Sequence, residues 1–379
     1  MPLNQDLPPL LVRADASTAQ GTGHVLRCLA LVEAWRARGG PVRFASCCPA
    51  PTMRRRIDAA GALLIEFQKP YPARGDCEQM LSTIEQLERA YGTSPWVVVD
   101  GYHFDASYQT DLRASPAWLL VVDDNAHLPH YDADIVLNHG IHAPQLAYDF
   151  TSDAKLLLGC QYALIRSEFL RYPTARRTNK TTARNILVTL GGSDPDNASG
   201  SIINALIGLD DPGLRARILV GPMNPHLEAL RQIASADRRV TIETTVDDMS
   251  ALMLWADIAI AGAGGTCWEL AFLGVPMLNV VLADNQRAVA AHLEQAQISV
   301  NLGWHTEMTP SLILAKLAPL MDAPTVRAAM SARGQALIDG RGTERVIAAM
   351  TAHGRAGGVD DNSRNANRGQ GKPCSKLAN

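Results

Sequence analysis

The chain has few of the features that mark membrane, secreted or zinc-binding proteins. No stretch approaches the ~20 consecutive apolar residues that a membrane helix requires, and the N-terminus lacks a signal-peptide pattern. The seven cysteines are scattered and odd in number, and they include no CxxC pair. That pattern is typical of reduced thiols rather than of a disulfide framework or a zinc site. We therefore expect a soluble cytoplasmic protein without membrane insertion.

A marked excess of charge of either sign is also missing. Thirty-five Lys and Arg residues stand against 38 Asp and Glu residues, a formal net charge of −3, which provides no general attraction to nucleic acid or to an anionic membrane. Any anion site must therefore be local. Hydrophobic residues make up 47% of the 379 residues, enough for a large core and for two α/β domains of ordinary size.

Short apolar runs alternate with helical segments along both halves of the chain. The first half predicts strands at 10–13, 42–45, 96–100, 118–124, 134–138 and 155–159. The second half predicts strands at 185–192, 216–221, 239–243, 257–262 and 275–283. This alternation predicts two doubly wound parallel sheets, whose strand ends leave a cleft for a ligand.

Composition divides the chain at two places. Residues 173–184 are polar and basic without apolar periodicity, which predicts a linker between domains 1–172 and 185–353. Residues 354–379 contain almost no apolar side chains and are predicted to be a disordered tail.

A histidine directly follows a glycine loop after the first predicted strand. Gly21 and Gly23 loosen the backbone, and His24 precedes an amphipathic segment. A strand, a glycine loop and a helix N-terminus together form the place where α/β proteins hold phosphates. The positive end of a helix dipole favours a neutral imidazole, so His24 is a candidate general base. The alternative is an ordinary structural or surface histidine, since the chain has ten.

The strongest composite pattern is AGAGGTCWEL in the second half. Gly262, Gly264 and Gly265 follow a predicted strand, and Thr266 opens a helix. Their backbone N–H groups can approach an anion closely. Glu269, one turn into the helix, would suit the hydroxyls of a ribose. The alternative is a glycine-rich turn with a surface glutamate.

Three further segments are predicted to face the same cleft. Gly192 and Ser193 lie in a loop after a strand, where a simple capped turn is the alternative. Asn285 and Gln286 begin a predicted helix after another strand, and Tyr102 follows a strand end in the first half.

Several histidines and aspartates of the first half invite a metal-site interpretation. The VDDN segment is somewhat similar to metal-binding aspartates of sugar transferases, but strand-end aspartates that cap loops are more common. No ligand spacing singles out the histidines, so neither a metal nor another cofactor is expected. These histidines are His103, His127, His130, His139 and His142.

Several of these segments together resemble one family. RADASTAQGTGHVLRCLAL, VVDGY, VVDD, ADIVLN, YALIRSEF, TLGGSDPDN and AGAGGTCWEL with the later DNQ are similar to the nucleotide-sugar hydrolase of pseudaminic acid biosynthesis. That family removes UDP from UDP-2,4-diacetamido-2,4,6-trideoxy-β-L-altropyranose. It shares the two-domain GT-B fold with the UDP-GlcNAc transferase of peptidoglycan lipid II synthesis. The matches run from about Leu11 to Met350. The AGAGGT–Glu–NQ pattern also occurs in GT-B transferases.

The resemblance implies a GT-B fold, a UDP-activated 2,4-diacetamido sugar as substrate and water as co-substrate. It implies a first domain that carries the sugar site and the base, and a second domain that binds UDP. His24 occupies the position of the catalytic base, and the metal-independent reaction would invert C1. The implied sugar-side residues are Gly23, Tyr102, Arg166, Asn285 and Gln286. The implied UDP-side residues are Gly192, Ser193, Gly264, Gly265, Thr266 and Glu269.

Two other functions stay open on the sequence. A GT-B glycosyltransferase would use the same base to activate an acceptor hydroxyl, and a non-catalytic protein would only bind the nucleotide sugar.

Overall fold

The computed structural model describes residues 7–17, 21–47, 50–73, 75–151, 153–172, 180–221 and 223–357. Two separate parallel sheets lie in this part of the chain, as the alternating pattern predicts. The strands of the first sheet are β1 (Leu10–Ala14), β2 (Val42–Ser46), β3 (Leu63–Glu66), β4 (Trp96–Asp100), β5 (Trp118–Val122), β6 (Ile135–Asn138) and β7 (Lys155–Leu158). Those of the second are β8 (Asn185–Thr189), β9 (Arg215–Leu219), β10 (Val240–Glu243), β11 (Ile258–Gly262), β12 (Met277–Val281) and β13 (Ser299–Trp304).

Helices connect most successive strands, but in the described part of the chain none lies between β5 and β6, and only the 3-10 turn Ala143–Gln145 lies between β6 and β7. Several begin at side chains that accept a backbone N–H; Asp105, Asp248 and Thr309 cap three of them. The helices are α1 (Gly23–Ala37), α2 (Pro51–Ala59), α3 (Asp76–Tyr91), α4 (Ala106–Arg113), α5 (Ser167–Leu170), α6 (Ala198–Ile207), α7 (Leu227–Ala234), α8 (Met249–Trp255), α9 (Thr266–Phe272), α10 (Arg287–Gln295), α11 (Pro310–Met321), α12 (Pro324–Leu337) and α13 (Gly342–Gly357).

The strand order creates a switch point in each sheet. The first sheet runs β3-β2-β1-β4-β5-β6-β7 and the second runs β10-β9-β8-β11-β12-β13. The order therefore reverses between β1 and β4 in the first sheet and between β8 and β11 in the second. Ala14 pairs with Asp100, and Thr189 pairs with Ala261, so the loops that follow these strands start side by side. Ligands of doubly wound sheets bind at such points.

The final helix joins the two halves of the molecule. α13 follows the second sheet in sequence, but Val346, Ile347 and Met350 belong to the buried core around β1 and α1. The predicted C-terminal domain 185–353 therefore includes a helix that packs with the first sheet. α13 also continues to Gly357, four residues into the segment predicted to be a disordered tail. Residues 358–379 lie outside the described part of the chain, as do 173–179 of the predicted linker.

Two strands were not predicted from the sequence. β3 lies at one edge of the first sheet and β13 at one edge of the second. Both strands contain partly exposed residues. An edge strand buries less surface than a central one and lacks the continuous apolar run of a strand such as β4, all of whose residues are buried. Asn285 and Gln286, predicted to begin a helix, lie in the short 3-10 turn Asp284–Gln286 before α10.

None of the helices in the described part of the chain combines the length and the apolar surface required to cross a bilayer. The cysteines of the same part, Cys28, Cys47, Cys77, Cys160 and Cys267, are free thiols.

Candidate active site

A cavity of about 160 Å³ lies between the strand ends of the two sheets. One wall comes from the segments after β1, β4, β5 and β6, and the other from the segments after β11 and β12. The residues of the first wall are Gly23, His24, Arg27, Tyr102, Asp124, His139, Gly140 and His142. Those of the second wall are Ala263, Gly264, Gly265, Trp268, Asn285, Gln286 and Val289. The structure thus brings together seven of the predicted site residues.

A larger depression of about 650 Å³ lies elsewhere, on the second half at Ile207–Asp210, Pro212 and Arg239. Its cationic group is already engaged, because the Arg239 guanidinium donates to Asp237 and to the backbone carbonyls of Ile207 and Leu209. The candidate active site is therefore the cavity between the two sheets.

His24 is paired with a buried carboxylate. It is the second residue of α1, and its Nδ1 lies 2.6 Å from Oδ1 of Asp100, the last residue of β4. Nη2 of Arg27 also lies 3.2 Å from Nδ1, but the contact with the carboxylate, which can only accept, is much shorter and assigns the proton to Nδ1 and the lone pair to Nε2. Nε2 has no hydrogen-bond partner among the described residues. The ring forms part of the cavity wall, which is the arrangement that a general base requires.

Arg27 holds two carboxylates in their charged forms. It lies one turn after His24 on α1, and it donates to Asp100 at 2.6 Å and to Asp124 at 2.6 and 2.8 Å. Burial alone would raise the pKa of Asp100, but the charge of Arg27 and the hydrogen bonds from Arg27 and His24 outweigh it and hold that pKa well below its usual range. By the same balance of burial and Arg27, the pKa of Asp124 is lowered to about 2.

Sequence reasoning assigned no role to Asp100 or Arg27, and it expected Asp124 of the VDDN segment to cap a loop, whereas the structure pairs Asp124 with Arg27. Asp100 and Arg27 both stood in segments that carried the family resemblance, VVDGY and the His24 loop. Their i, i+3 spacing also puts Arg27 and His24 on one face of a helix. Neither observation identifies the carboxylates that Arg27 binds, because Asp100 and Asp124 lie 73 and 97 residues from Arg27 in the chain.

Tyr102 links the two walls of the cleft. Its hydroxyl donates to Asp124 at 2.8 Å and accepts from Nδ2 of Asn285 at 3.1 Å. Its ring stands edge-on to His24, with 5.0 Å between ring centroids. Burial, reinforced by the charge of Asp124, raises the pKa of Tyr102, so the hydroxyl keeps its proton. Two of the residues that the resemblance places around the sugar, Tyr102 and Asn285, are therefore in direct contact.

The glycine loop of the second wall has open space in front of it. A Cβ added to Gly265 would meet no atom within 4 Å, and one added to Gly264 would come no closer than 3.9 Å, to Nε2 of Gln286. Gln286 is held in place because its Oε1 accepts from the backbone N–H of Leu282 at 3.0 Å. Thr266 begins α9 directly behind this loop. The loop can therefore receive a ligand against its backbone.

Arg166 and Glu269 are paired with each other outside the cavity wall. Arg166 donates to Oε1 of Glu269 from Nε at 3.0 Å and from Nη2 at 2.8 Å, and it also pairs with Glu168. Burial raises the pKa of Glu269 in spite of the opposing charge of Arg166. Oε2 of Glu269 makes no hydrogen bond to the described residues. The structure thus joins a predicted sugar-side residue to a predicted nucleotide-side residue.

Gly192 and Ser193 also lie outside the cavity wall, although their loop approaches the His24 loop. A Cβ on Gly192 would lie 3.2 Å from Oγ1 of Thr22. The neighbouring Asp194 caps α6 by accepting from the N–H groups of Ala198 and Ser199 at 2.9 and 3.0 Å. This loop is therefore a capped turn, and it also lies next to the His24 loop.

The histidines and aspartates of the first half form pairs rather than a metal site. Asp123 accepts from the backbone N–H groups of Asn125 and Ala126 at 2.7 and 2.6 Å and pairs with His127, which is the loop-capping role expected of VDDN. Within the described ranges, no three His, Cys, Asp or Glu side chains are grouped so that they could hold a metal ion.

Comparison with known proteins identifies the second half more specifically than the first. Residues 187–342 match the family described as glycosyltransferase family 28 C-terminal domain. The spore coat polysaccharide biosynthesis protein SpsG of Bacillus subtilis is 29% identical over 46% of this chain and 51% of its own length. The UDP-N-acetylglucosamine--N-acetylmuramyl-(pentapeptide) pyrophosphoryl-undecaprenol N-acetylglucosamine transferase of Solidesulfovibrio magneticus is 31% identical over 44% of this chain and 50% of its own. The chain thus spans about half the length of these curated relatives.

Solved structures show the fold over most of the chain. MurG of Acinetobacter baumannii matches 90% of this chain and 98% of its own, with a TM-score of 0.61 and 18% sequence identity. The protein therefore has the GT-B fold, with a second half that matches the C-terminal domain of glycosyltransferase family 28.

Proposed function

We propose that this protein is a UDP-sugar hydrolase that cleaves UDP-2,4-diacetamido-2,4,6-trideoxy-β-L-altropyranose to UDP and 2,4-diacetamido-2,4,6-trideoxy-L-altrose, in cytoplasmic pseudaminic acid biosynthesis. The observation that carries the proposal is the His24–Asp100 pair in a cavity wall opposite the Gly264–Gly265 loop. The identity of the sugar comes from the family resemblance. A relative that is a UDP-N-acetylglucosamine transferase supports the broader class of nucleotide-sugar enzymes.

The proposed reaction is a single displacement at C1. A water oxygen bonds to C1 on the face opposite UDP while the C1–oxygen bond to UDP breaks, and the bonding electron pair leaves with UDP. The water proton passes to Nε2 of His24, and Asp100 stabilises the imidazolium that forms. Backbone N–H groups at Gly265 and Thr266 stabilise the departing pyrophosphate, since that of Gly264 already donates to the carbonyl of Gly262 at 2.8 Å. Because UDP is a good leaving group, the scheme has no role for the acid of an ordinary glycosidase.

A glycosyltransferase would use the same groups, with an acceptor hydroxyl in place of water. The two reactions differ in one measurable requirement, the acceptor.

The test is to incubate the protein with the UDP-sugar in ¹⁸O-labelled water without an acceptor and to follow the reaction by NMR and mass spectrometry. Hydrolysis predicts equal amounts of UDP and free sugar, one ¹⁸O at C1 and first appearance of the anomer opposite to that of the substrate. UDP release only after addition of a glycan acceptor would establish a transferase. Tight binding without turnover of the diacetamido substrate would establish a binding protein.

Replacement of the base provides the second test. We expect His24→Ala to lower kcat by about 10²–10⁴-fold, the usual contribution of one general base, while the Kd for UDP stays near the wild-type value. The variant should fold, because Arg27 still neutralises Asp100. His130→Ala is the matched control, since His130 pairs with the exposed Asp149 away from the cavity. Wild-type turnover by His24→Ala would disprove the assignment of His24.

A further inference from the structure

Two histidines of the cavity wall have no part in the displacement described above. His139 and His142 follow β6 and are 2% and 4% exposed. Both line the cavity beside Trp268 and Val289 of the opposite wall. Buried imidazoles in a binding cavity present fixed hydrogen-bonding groups, so the protonation of each ring nitrogen decides what the wall can recognise.

His142 presents an acceptor. Its Nε2 lies 3.1 Å from the backbone carbonyl oxygen of Asp124, and a carbonyl can only accept, so Nε2 carries the proton. Burial lowers the pKa of His142 and keeps the ring neutral. Nδ1 is therefore an unprotonated acceptor, and this buried atom has no hydrogen-bond partner among the described residues. An unpaired buried acceptor destabilises the protein unless a donor reaches it.

His139 presents a donor. The backbone N–H of Leu164 lies 3.5 Å from its Nδ1, a long contact that still excludes a second proton between the two nitrogens. Burial and the charge of Arg27 lower the pKa of His139 to about 4, so the ring is neutral. Its single proton is then on Nε2, which makes no hydrogen bond within the described ranges.

One donor and one acceptor are the two hydrogen-bonding functions of a secondary amide. We propose that His139 and His142 recognise an acetamido group of the sugar, with Nε2–H of His139 donating to the acetyl carbonyl and Nδ1 of His142 accepting from the amide N–H. The proposal rests on the proposed function, because it names the group of that substrate which this wall binds. Trp268, whose ring stands 6.3 Å from that of His139, offers apolar surface for the acetyl methyl.

The segment between the two histidines fits this role. A Cβ on Gly140 would lie 3.0 Å from Cε1 and 3.2 Å from Nδ1 of His142, so only glycine leaves the ring in its present place. The backbone N–H of Gly140 donates to Oδ1 of Asn138 at 2.7 Å, which holds the turn. The positions of the imidazoles are thus set before any ligand arrives.

Binding measurements test the proposal independently of turnover. The His24→Ala variant is titrated calorimetrically with UDP, with the UDP-diacetamido sugar, and with analogues that carry a hydroxyl in place of the 2- or the 4-acetamido group. We expect one of the two analogues to bind about tenfold more weakly than the diacetamido sugar, the size of a lost neutral hydrogen-bond pair. Adding His142→Phe should remove this preference, and His142→Asn, which keeps an acceptor near the position of Nδ1, should retain part of it. His139→Phe and His139→Gln make the same comparison for the donor.

UDP alone is the control ligand, and His130→Phe is the control variant. Unchanged UDP affinity in all variants would show that the fold and the nucleotide site are intact. A full preference for the diacetamido sugar in His142→Phe, or an equal loss for every sugar, would overturn the inference. Failure of the wild type to hydrolyse the sugar, with the preference intact, would overturn only the hydrolase proposal. Absence of binding by UDP and by every UDP-sugar would overturn both.

Discussion

At the scale of single residues, the candidate site is a buried chain of charges around one imidazole. Arg27 spans Asp100 and Asp124, and Tyr102 continues the chain to the second wall. Asp100 is buried and Asp124 is partly buried, and the charge of Arg27 holds both carboxylates in their charged forms. His24 in turn depends on Asp100, which fixes the orientation of the ring. The base therefore acts as part of a pair.

Asp100→Asn tests this pair. The amide can still contact Nδ1, but it removes the negative charge that stabilises the imidazolium, and we expect kcat to fall about 10²-fold or more with little change in UDP affinity. Steady-state kinetics and UDP titration measure both quantities, and urea unfolding measures how much stability is lost with the charge. Asp149→Asn, on the exposed partner of His130, is the control. A folded Asp100→Asn protein with wild-type kcat would show that His24 works alone.

At the scale of elements, the loops at the two switch points hold the site together. The β1–α1 and β4–α4 loops meet because Ala14 pairs with Asp100, and the β11–α9 loop faces them from the second sheet. Buried apolar runs were enough to predict these strands and the loops at their ends. The edge strands β3 and β13 were missed, because half-exposed residues carry a weaker pattern.

Gly265→Ala tests whether the β11–α9 loop binds the nucleotide. Gly265 has φ −55° and an added Cβ meets no atom within 4 Å, so we expect stability to stay within about 0.5 kcal/mol of the wild type. The same Cβ would stand between the backbone N–H groups and a pyrophosphate, so the Kd for UDP should rise about tenfold or more. Calorimetry and urea unfolding make the comparison. Gly208→Ala, at the end of α6 with φ −70°, is the matched control. Unchanged UDP affinity in Gly265→Ala would place the pyrophosphate elsewhere.

At the scale of the whole molecule, contacts between the halves decide the state of groups inside the cleft. α13 returns to the core of the first sheet, and a Cβ on Gly342 would lie 2.2 Å from the backbone oxygen of Ala163, so the chain crosses itself in close contact there. Trp268 of the second half stands beside His139 of the first. The neutral state of His139 is thus a property of the assembled molecule rather than of its own loop.

The free energy of unfolding at acidic pH depends on whether His139 is neutral in the folded protein. The pKa of His139 is about 4 in the folded protein against 6.5 for a free imidazole, so the unfolded chain binds the proton more readily between these values. Stabilisation is therefore complete above about pH 6.5 and is lost as the pH falls toward 4, by up to about 3 kcal/mol. Urea unfolding of the wild type and of His139→Gln at pH 7.5 and pH 5 measures the difference, which should shrink at pH 5. An equal difference at both pH values would show that His139 does not titrate in this range.

The sequence by itself determined the two parallel sheets, the glycine loops at their strand ends and the kinds of side chain in those loops. Buried strands and glycine loops can be recognised because each produces a pattern of residue types within a short segment. It therefore predicted His24, Tyr102, Gly264, Asn285 and Gln286 as neighbours of one cleft. Tertiary structure alone decided their partners. It joined Asp100 to His24 and Arg166 to Glu269, over 76 and 103 residues of chain, and set the protonation of His139. Contacts between residues so far apart in the chain, and the burial of their side chains, depend on how the two sheets pack. The pattern of residues within a short segment does not determine that packing.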